Sequence, residues 1–288
     1  MVGYILCPLI ETLMTIVGAF FSFGQIISVV MKNNNILNLF AKWYIWISFI
    51  TISVINVWWT KLRCIKGTIP DKSVNLCIKF CSVVNKKRTI VVPINTKFDS
   101  SFFEKKTISS KSVQYAIIQK AFKGSCKEMD SMIVDSLKET YGDYKKEYPL
   151  GTVVHVNNKK YSLLFLADAI MSDRAVSKTT EEQIIQSLDG FWNYLDEFAS
   201  NDTPIALPLL GTGQGRLSIK FTDIVHLIIM SYVTHIQNTK KIPIRELIIC
   251  IPIQTVKKNY IDIKKLQIYM EYICNKPSVN HSYASQKL

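Results

Sequence analysis

A chain of 288 residues with a net charge of +13 and one charged residue in five has room for one ordinary domain plus a smaller segment, and leaves little for two large domains. Its seven cysteines are an odd, scattered set without a Cys/His grouping of zinc spacing, which argues against a disulfide scaffold or structural zinc site and for reduced thiols. The basic excess suits anionic head groups or an anionic ligand; no nucleic-acid motif accompanies it.

The first element in chain order is a pair of uncharged stretches, Thr12–Met31 and Trp43–Thr60. Each has about the 20 residues that an α-helix needs to cross a bilayer core. Glu11 stands where a signal peptide would carry basic residues, and no small-x-small cleavage site follows. The connector from Lys32 to Lys42 contains Asn33-Asn34-Asn35, a turn former, so the two helices are expected to be antiparallel neighbours. Lys61, Arg63, Lys66 and Lys72 outnumber the two connector lysines, and the positive-inside rule then places the rest of the chain in the cytoplasm. Trp43, Tyr44 and Trp46 at one end and Trp58 and Trp59 at the other read as interfacial belts. Gly18, Ser22, Gln25 and Ser28, with Ser48, Thr51 and Asn56, are small or polar side chains suited to helix–helix contact. The hairpin is expected over residues 1–61, followed by a linker, 62–73, centred on Gly67-Thr68-Ile69-Pro70-Asp71.

Beyond it, strand-like runs interleave with helical ones, over 74–276. Strands are expected at Asn75–Val84, Thr89–Ile94, Thr152–Val156, Tyr161–Ala167, Pro204–Leu209 and Leu247–Pro252. Helices are expected at Lys111–Phe122, Met129–Tyr141, Thr180–Phe198, Ile219–Ile236 and Ile263–Cys274, with Thr179 and Glu182 as a capping box. This pattern predicts an α/β fold, a mixed sheet flanked by helices. Residues 277–288 read as a flexible tail.

The segment richest in chemistry runs from Ile205 to Arg216, IALPLLGTGQGR. An apolar strand meets glycines at 211, 213 and 215, just before a helix. Glycines there free backbone amides to approach an oxyanion and permit positive φ. The helix start favours negative charge, and Arg216 is placed to add charge-assisted hydrogen bonds. The spacing is neither a P-loop nor Gly-x-Gly-x-x-Gly. Asp168, Asp173 and Arg174 follow another strand, at the sheet end where open α/β folds bind ligands. The four histidines have no nucleophile or carboxylate partner legible in the sequence and are assigned structural roles.

IALPLLGTGQG closely resembles the second phosphate-binding loop of macro domains. Val91–Asp99, VVPINTKFD, resembles their Asn-containing strand end in the form found in a subfamily of bacterial Thoeris antiphage defence. Lys111-Ser112-Val113-Gln114, YPLGTVVHV from Tyr148 and LADAIMSD from Leu166 are similar to that subfamily too, and the resemblance extends over roughly 74–275. With two membrane helices in front, it is the membrane-type Thoeris effector that the chain resembles.

The resemblance implies a non-enzymatic receptor in the cell membrane. A TIR-domain enzyme would make an ADP-ribose derivative such as histidine-ADP-ribose; the macro domain would bind it, and the membrane part, assembling as a homo-oligomer, would disrupt the bilayer in abortive infection. Gly211, Thr212, Gly213, Gln214, Gly215 and Arg216 would hold the diphosphate, and Asn95, Phe98 and Asp99 would border the distal ribose. Asp168 joins these as a ligand contact; no catalytic or metal-ligating residue is assigned. Cys81-Ser82-Val83 stands where many macro domains carry Gly-Asp-Ile, so the acid that receives adenine is missing. The Gly-Gly-Gly run of hydrolytic members is also missing after Asn95. The alternatives are a membrane-tethered ADP-ribosyl hydrolase or NAD-cleaving enzyme, and a passive scaffold acting through its basic surface.

Overall fold

The computed structural model of the chain describes residues 64–69, 72–84, 87–100, 112–143, 145–158, 160–170, 179–198, 203–211, 220–239 and 242–275, together with Val29 and Thr51. The chain divides into two units, Met1–Arg63 and Cys64–Leu288. The hairpin expected over 1–61 lies outside the described residues apart from Val29 and Thr51, and so does the tail from 277. Among the described residues no helix is long and apolar enough to cross a membrane.

The second unit is built on a seven-stranded sheet. Its strands are β1 (Cys64–Ile69), β2 (Val74–Lys79), β3 (Thr89–Asn95), β4 (Val153–Asn158), β5 (Tyr161–Ala169), β6 (Ile205–Pro208) and β7 (Glu246–Cys250), in the spatial order β1-β2-β7-β6-β3-β5-β4. The inner five are mutually parallel, and β1 and β4 close the two sides antiparallel to their neighbours. The C-terminal ends of β2, β7, β6, β3 and β5 therefore lie along one end of the sheet.

Residues of the central strands are apolar at nearly every position because both faces are covered. Alternate side chains divide between two cores. Leu76 and Ile78 of β2, Val91 of β3, Leu164 and Leu166 of β5 and Leu247 and Ile249 of β7 share one core with helices α3 (Glu181–Phe198), α4 (Phe221–Asn238) and α6 (Ile263–Cys274). Ile90, Val92 and Ile94 of β3, Leu163 and Phe165 of β5 and Ile248 of β7 face the other core, roofed by α1 (Val113–Ala121) and α2 (Cys126–Tyr141). A short helix α5 (Ile253–Lys258) links β7 to α6. The result is a mixed sheet between two helical layers, as the interleaved pattern predicts.

Several helix starts follow from side-chain caps. The Ser112, Ser125 and Asp262 oxygens accept backbone N–H groups of Tyr115, Glu128 and Lys264 respectively. At α3 the capping box forms one residue later than expected. Gln183 N donates to Thr180 Oγ1 and Thr180 N donates to Gln183 Oε1, whereas Thr179 is buried.

The linker expected over 62–73 needs correction. Cys64–Ile69 is strand β1, paired with β2 from Cys64↔Lys79 to Ile69↔Val74. Gly67, which reads as a chain breaker, is there because α6 presses on the strand: a Cβ at Gly67 would sit 2.7 Å from Cys274 Sγ and 2.8 Å from Met270 Cγ.

Candidate functional site

The connection from β3 leads toward β5 and β4, while that from β6 leads to β7 on the other side. β3 and β6 are neighbours, so the chain changes direction between them, and crevices for ligands form at such a switch point. Here the two strands also part early. The β3–β6 ladder holds only Thr89↔Ile205 and Ile90↔Ala206. Pro93 and Pro208 lie just beyond, and neither has an N–H with which to extend it.

Gly211 stands at the far side of this opening, after Leu209 and Leu210, which are buried. Its φ is +65°, the left-handed conformation that the glycine corner requires. The Gly211 N–H donates to Asp168 Oδ2 at 3.2 Å. Asp168 is therefore the floor under the corner, 6% exposed near the end of β5. Burial pushes its carboxyl up to about 7, against hydrogen bonds from the Gly211 and Asp168 amides that favour the charged form. Thr212, Gly213, Gln214, Gly215 and Arg216 lie outside the described residues, as do Asp173 and Arg174.

On the near side, Asn95 ends β3 at a register shift, where it pairs with Ala169 instead of Asp168. Its side chain is committed at both ends. Nδ2 donates to the Asp99 carbonyl at 3.1 Å and to Asp99 Oδ1 at 3.2 Å, and Oδ1 accepts the Lys97 N–H at 2.9 Å. Asn95 thereby holds the turn that carries Asp99. Phe98 has φ +53° within this turn, and its ring points inward, 2% exposed and edge-on to Tyr148 at 5.5 Å. What Phe98 gives the site is a packed base for the turn; its ring belongs to the core.

Next to the turn is a cleft of about 420 Å³, lined by Thr96, Glu147, Tyr148, Leu150, Ile170 and Gln186 among others. Thr96 Oγ1 donates to Glu147 Oε1 at 2.8 Å, and the Tyr148 N–H donates to the Thr96 carbonyl. Glu147 and Gln186 are not among the residues expected from the sequence. Glu147 falls one position before the YPLGTVVHV stretch, and Gln186 reaches the cleft only because α3 packs against β5. Among the described residues, no group of three or more metal-ligating side chains occurs.

The strands form one seven-stranded mixed sheet with its switch point between β3 and β6. The chain belongs to the family described as Thoeris protein ThsA, Macro domain, whose model matches residues 76–252, more than half of its length. Membership points to Thoeris antiphage defence and to an ADP-ribose-type ligand, in agreement with the resemblance read from IALPLLGTGQG and VVPINTKFD. Among solved structures the chain is similar to the Oceanobacillus iheyensis macrodomain with MES bound, at 14% identity and a TM-score of 0.46, over 70% of this chain and 96% of that one. No curated protein sequence matches it.

Proposed function

We propose that the protein is a membrane effector switched on by an ADP-ribose-derived signal nucleotide such as histidine-ADP-ribose, made by a TIR-domain enzyme. The nucleotide lies across the crevice between β3 and β6, its diphosphate on the 211–216 corner and its distal ribose toward the 95–99 turn. Binding shifts the cytoplasmic domains into an assembled state, and the segment 1–61 then disrupts the bilayer. The ligand acts only through its difference in affinity for the resting and assembled states. The observation that carries this reading is the glycine corner: a positive-φ Gly211 anchored on Asp168, beside a ladder cut short by two prolines.

A receptor fits the residues better than a hydrolase does. The Asn95 amide is spent on the turn, and the acid that accepts the Gly211 amide is buried and raised toward neutrality. Calorimetry with ADP-ribose and its amino-acid conjugates on the full chain tests the proposal. Gly213→Glu is expected to abolish the heat of binding, because a carboxylate then meets the diphosphate. Failure of every such nucleotide to bind, or unchanged binding by that variant, would overturn it. Steady release of product from the nucleotide, lost in Asn95→Ala, would favour the enzyme instead.

A further inference from the structure

The three most exposed large apolar side chains among the described residues of the second unit all lie on one stretch of chain: Tyr260 at 92%, Ile268 at 66% and Tyr272 at 64%. α6 buries Leu266, Met270 and Cys274, and the last two close over Gly67 of β1. Ile268 and Tyr272, four residues apart, therefore share its outward side. Tyr260 stands in the turn between α5 and α6. The Ile261 N–H donates to the Val256 carbonyl at 3.2 Å and the Ile261 side chain is buried, which pins the turn and leaves the tyrosine ring outside. The Tyr260 φ of +49° lies in the left-handed region that side chains of this size rarely adopt. A strained backbone thus carries an aromatic ring away from the core.

Positive charge frames the same surface. Lys257 and Lys258 end α5, and Lys264 and Lys265 begin α6, four exposed lysines within nine residues. Lys264 lies one turn before Ile268, so the charge borders the apolar side chains directly. The two acids of the stretch are engaged elsewhere. Asp262 Oδ1 caps α6 by accepting the Lys264 and Lys265 N–H groups at 3.0 and 3.3 Å, and Glu271 Oε1 accepts Gln267 Nε2 at 2.9 Å. Among the described residues no ion pair holds any of the four lysines.

We propose that the α5–α6 arm is a docking face for an anionic phospholipid surface, with Tyr260, Ile268 and Tyr272 at the level of the headgroups and the lysines on the phosphates. Tyrosine suits that depth because its ring and hydroxyl meet apolar and wet surroundings together. A helix with an apolar stripe bordered by lysines lies flat in such an interface. A protein partner fits less well, since a stable interface buries about 800 Å² on each side, more than three such side chains cover. The proposal goes beyond the nucleotide reading and needs no nucleotide. α6 rests on β1, where the chain enters the second unit, so a membrane anchor at 1–61 makes the contact intramolecular, and weak attraction then suffices.

The test uses the full chain reconstituted, without nucleotide, into vesicles of equal parts phosphatidylglycerol and phosphatidylcholine, beside vesicles of phosphatidylcholine alone. A brief pulse of acetylating reagent followed by peptide mass spectrometry reads each lysine, with the exposed Lys120 of α1 and Lys127 of α2, in the opposite helical layer, as internal references. Each lysine near an anionic leaflet raises occupancy by about fivefold. Lys257, Lys258, Lys264 and Lys265 are therefore expected to react more than about tenfold slower in the anionic vesicles, and to recover at about 1 M salt, where the screening length falls to about 3 Å. Tyr260→Ser, Ile268→Ser and Tyr272→Ser combined should melt close to the wild type, since all three side chains are exposed, and should lose most of the protection. Equal lysine rates in the two lipids, full protection in the combined variant, or protection that tracks protein density in both lipids and so marks a second copy, would overturn the proposal. Lysine protection on a chain that a later salt wash strips from the vesicles would support docking while refuting the membrane span, so the two readings fail separately.

Discussion

Asp168 is an acid buried under the backbone it supports, and its charge works against the fold. An unfolded aspartate titrates near 3.8, whereas in the domain burial holds Asp168 near 7. Between these values the folded chain binds more protons than the unfolded one, so stability is full at the acidic end and falls as pH rises toward 7. The loss is on the order of a few kcal/mol, since each tenfold change in proton affinity corresponds to about 1.4 kcal/mol. Asp168→Asn keeps an acceptor for the Gly211 N–H and carries no charge. Thermal melts should therefore match the wild type near pH 4, and the variant should melt higher at about pH 8; equal melting temperatures at the alkaline end would show that the carboxyl is not held uncharged. At the same scale, the sequence marks the glycine corner more plainly than the orientation of the side chains around it. Gly211 was legible because alternate glycines after an apolar strand have few other uses. The inward turn of Phe98 was not, because a left-handed φ at a non-glycine leaves no mark in composition.

Among elements, the turn before β4 and α3 meet backbone to backbone. A Cβ on Gly190 would lie 2.6 Å from Gly151 Cα and 2.7 Å from its carbonyl oxygen, both backbone atoms that cannot swing aside. Gly151 itself has φ +83°. Gly190→Ala must lift α3 off the turn, with an expected loss of roughly 1–3 kcal/mol in urea denaturation, the usual range for overpacking. Ile184→Val, in the same helix and core, is the comparison for a modest loss of about 1 kcal/mol. The six strands and five helices expected from periodicity are all present, with ends shifted by a few residues. β1 is hidden in the sequence because its one glycine, a chain breaker by local pattern, is a packing contact with the distant α6. The strand reading of Leu247–Pro252 ran on past Cys250, because Ile251 is apolar while the chain is already entering α5.

In the whole molecule, sensing and damage are expected to lie in different segments of the proposed effector. The full chain should remain with the membrane fraction after a salt wash, and in liposomes it should release dye only when the activating nucleotide is added. Removal of residues 1–61 should abolish dye release while the calorimetric affinity stays within about twofold, a difference of less than about 0.5 kcal/mol by the usual affinity arithmetic. Leakage from the truncated chain would refute the division of labour. A salt-sensitive association that ignores nucleotide would favour the scaffold instead.

The antiparallel pairing of β1 has a mechanical corollary. Since Cys64 lies opposite Lys79, the chain enters the domain at the same end of the sheet from which the 95–99 turn and the Gly211 corner project. From β1 to β6 is three strand spacings, about 14 Å at the usual interval. In the proposed effector, a nucleotide held by those loops would therefore bind at the end of the sheet where the chain enters β1, with no need for a signal relayed through the thickness of the domain.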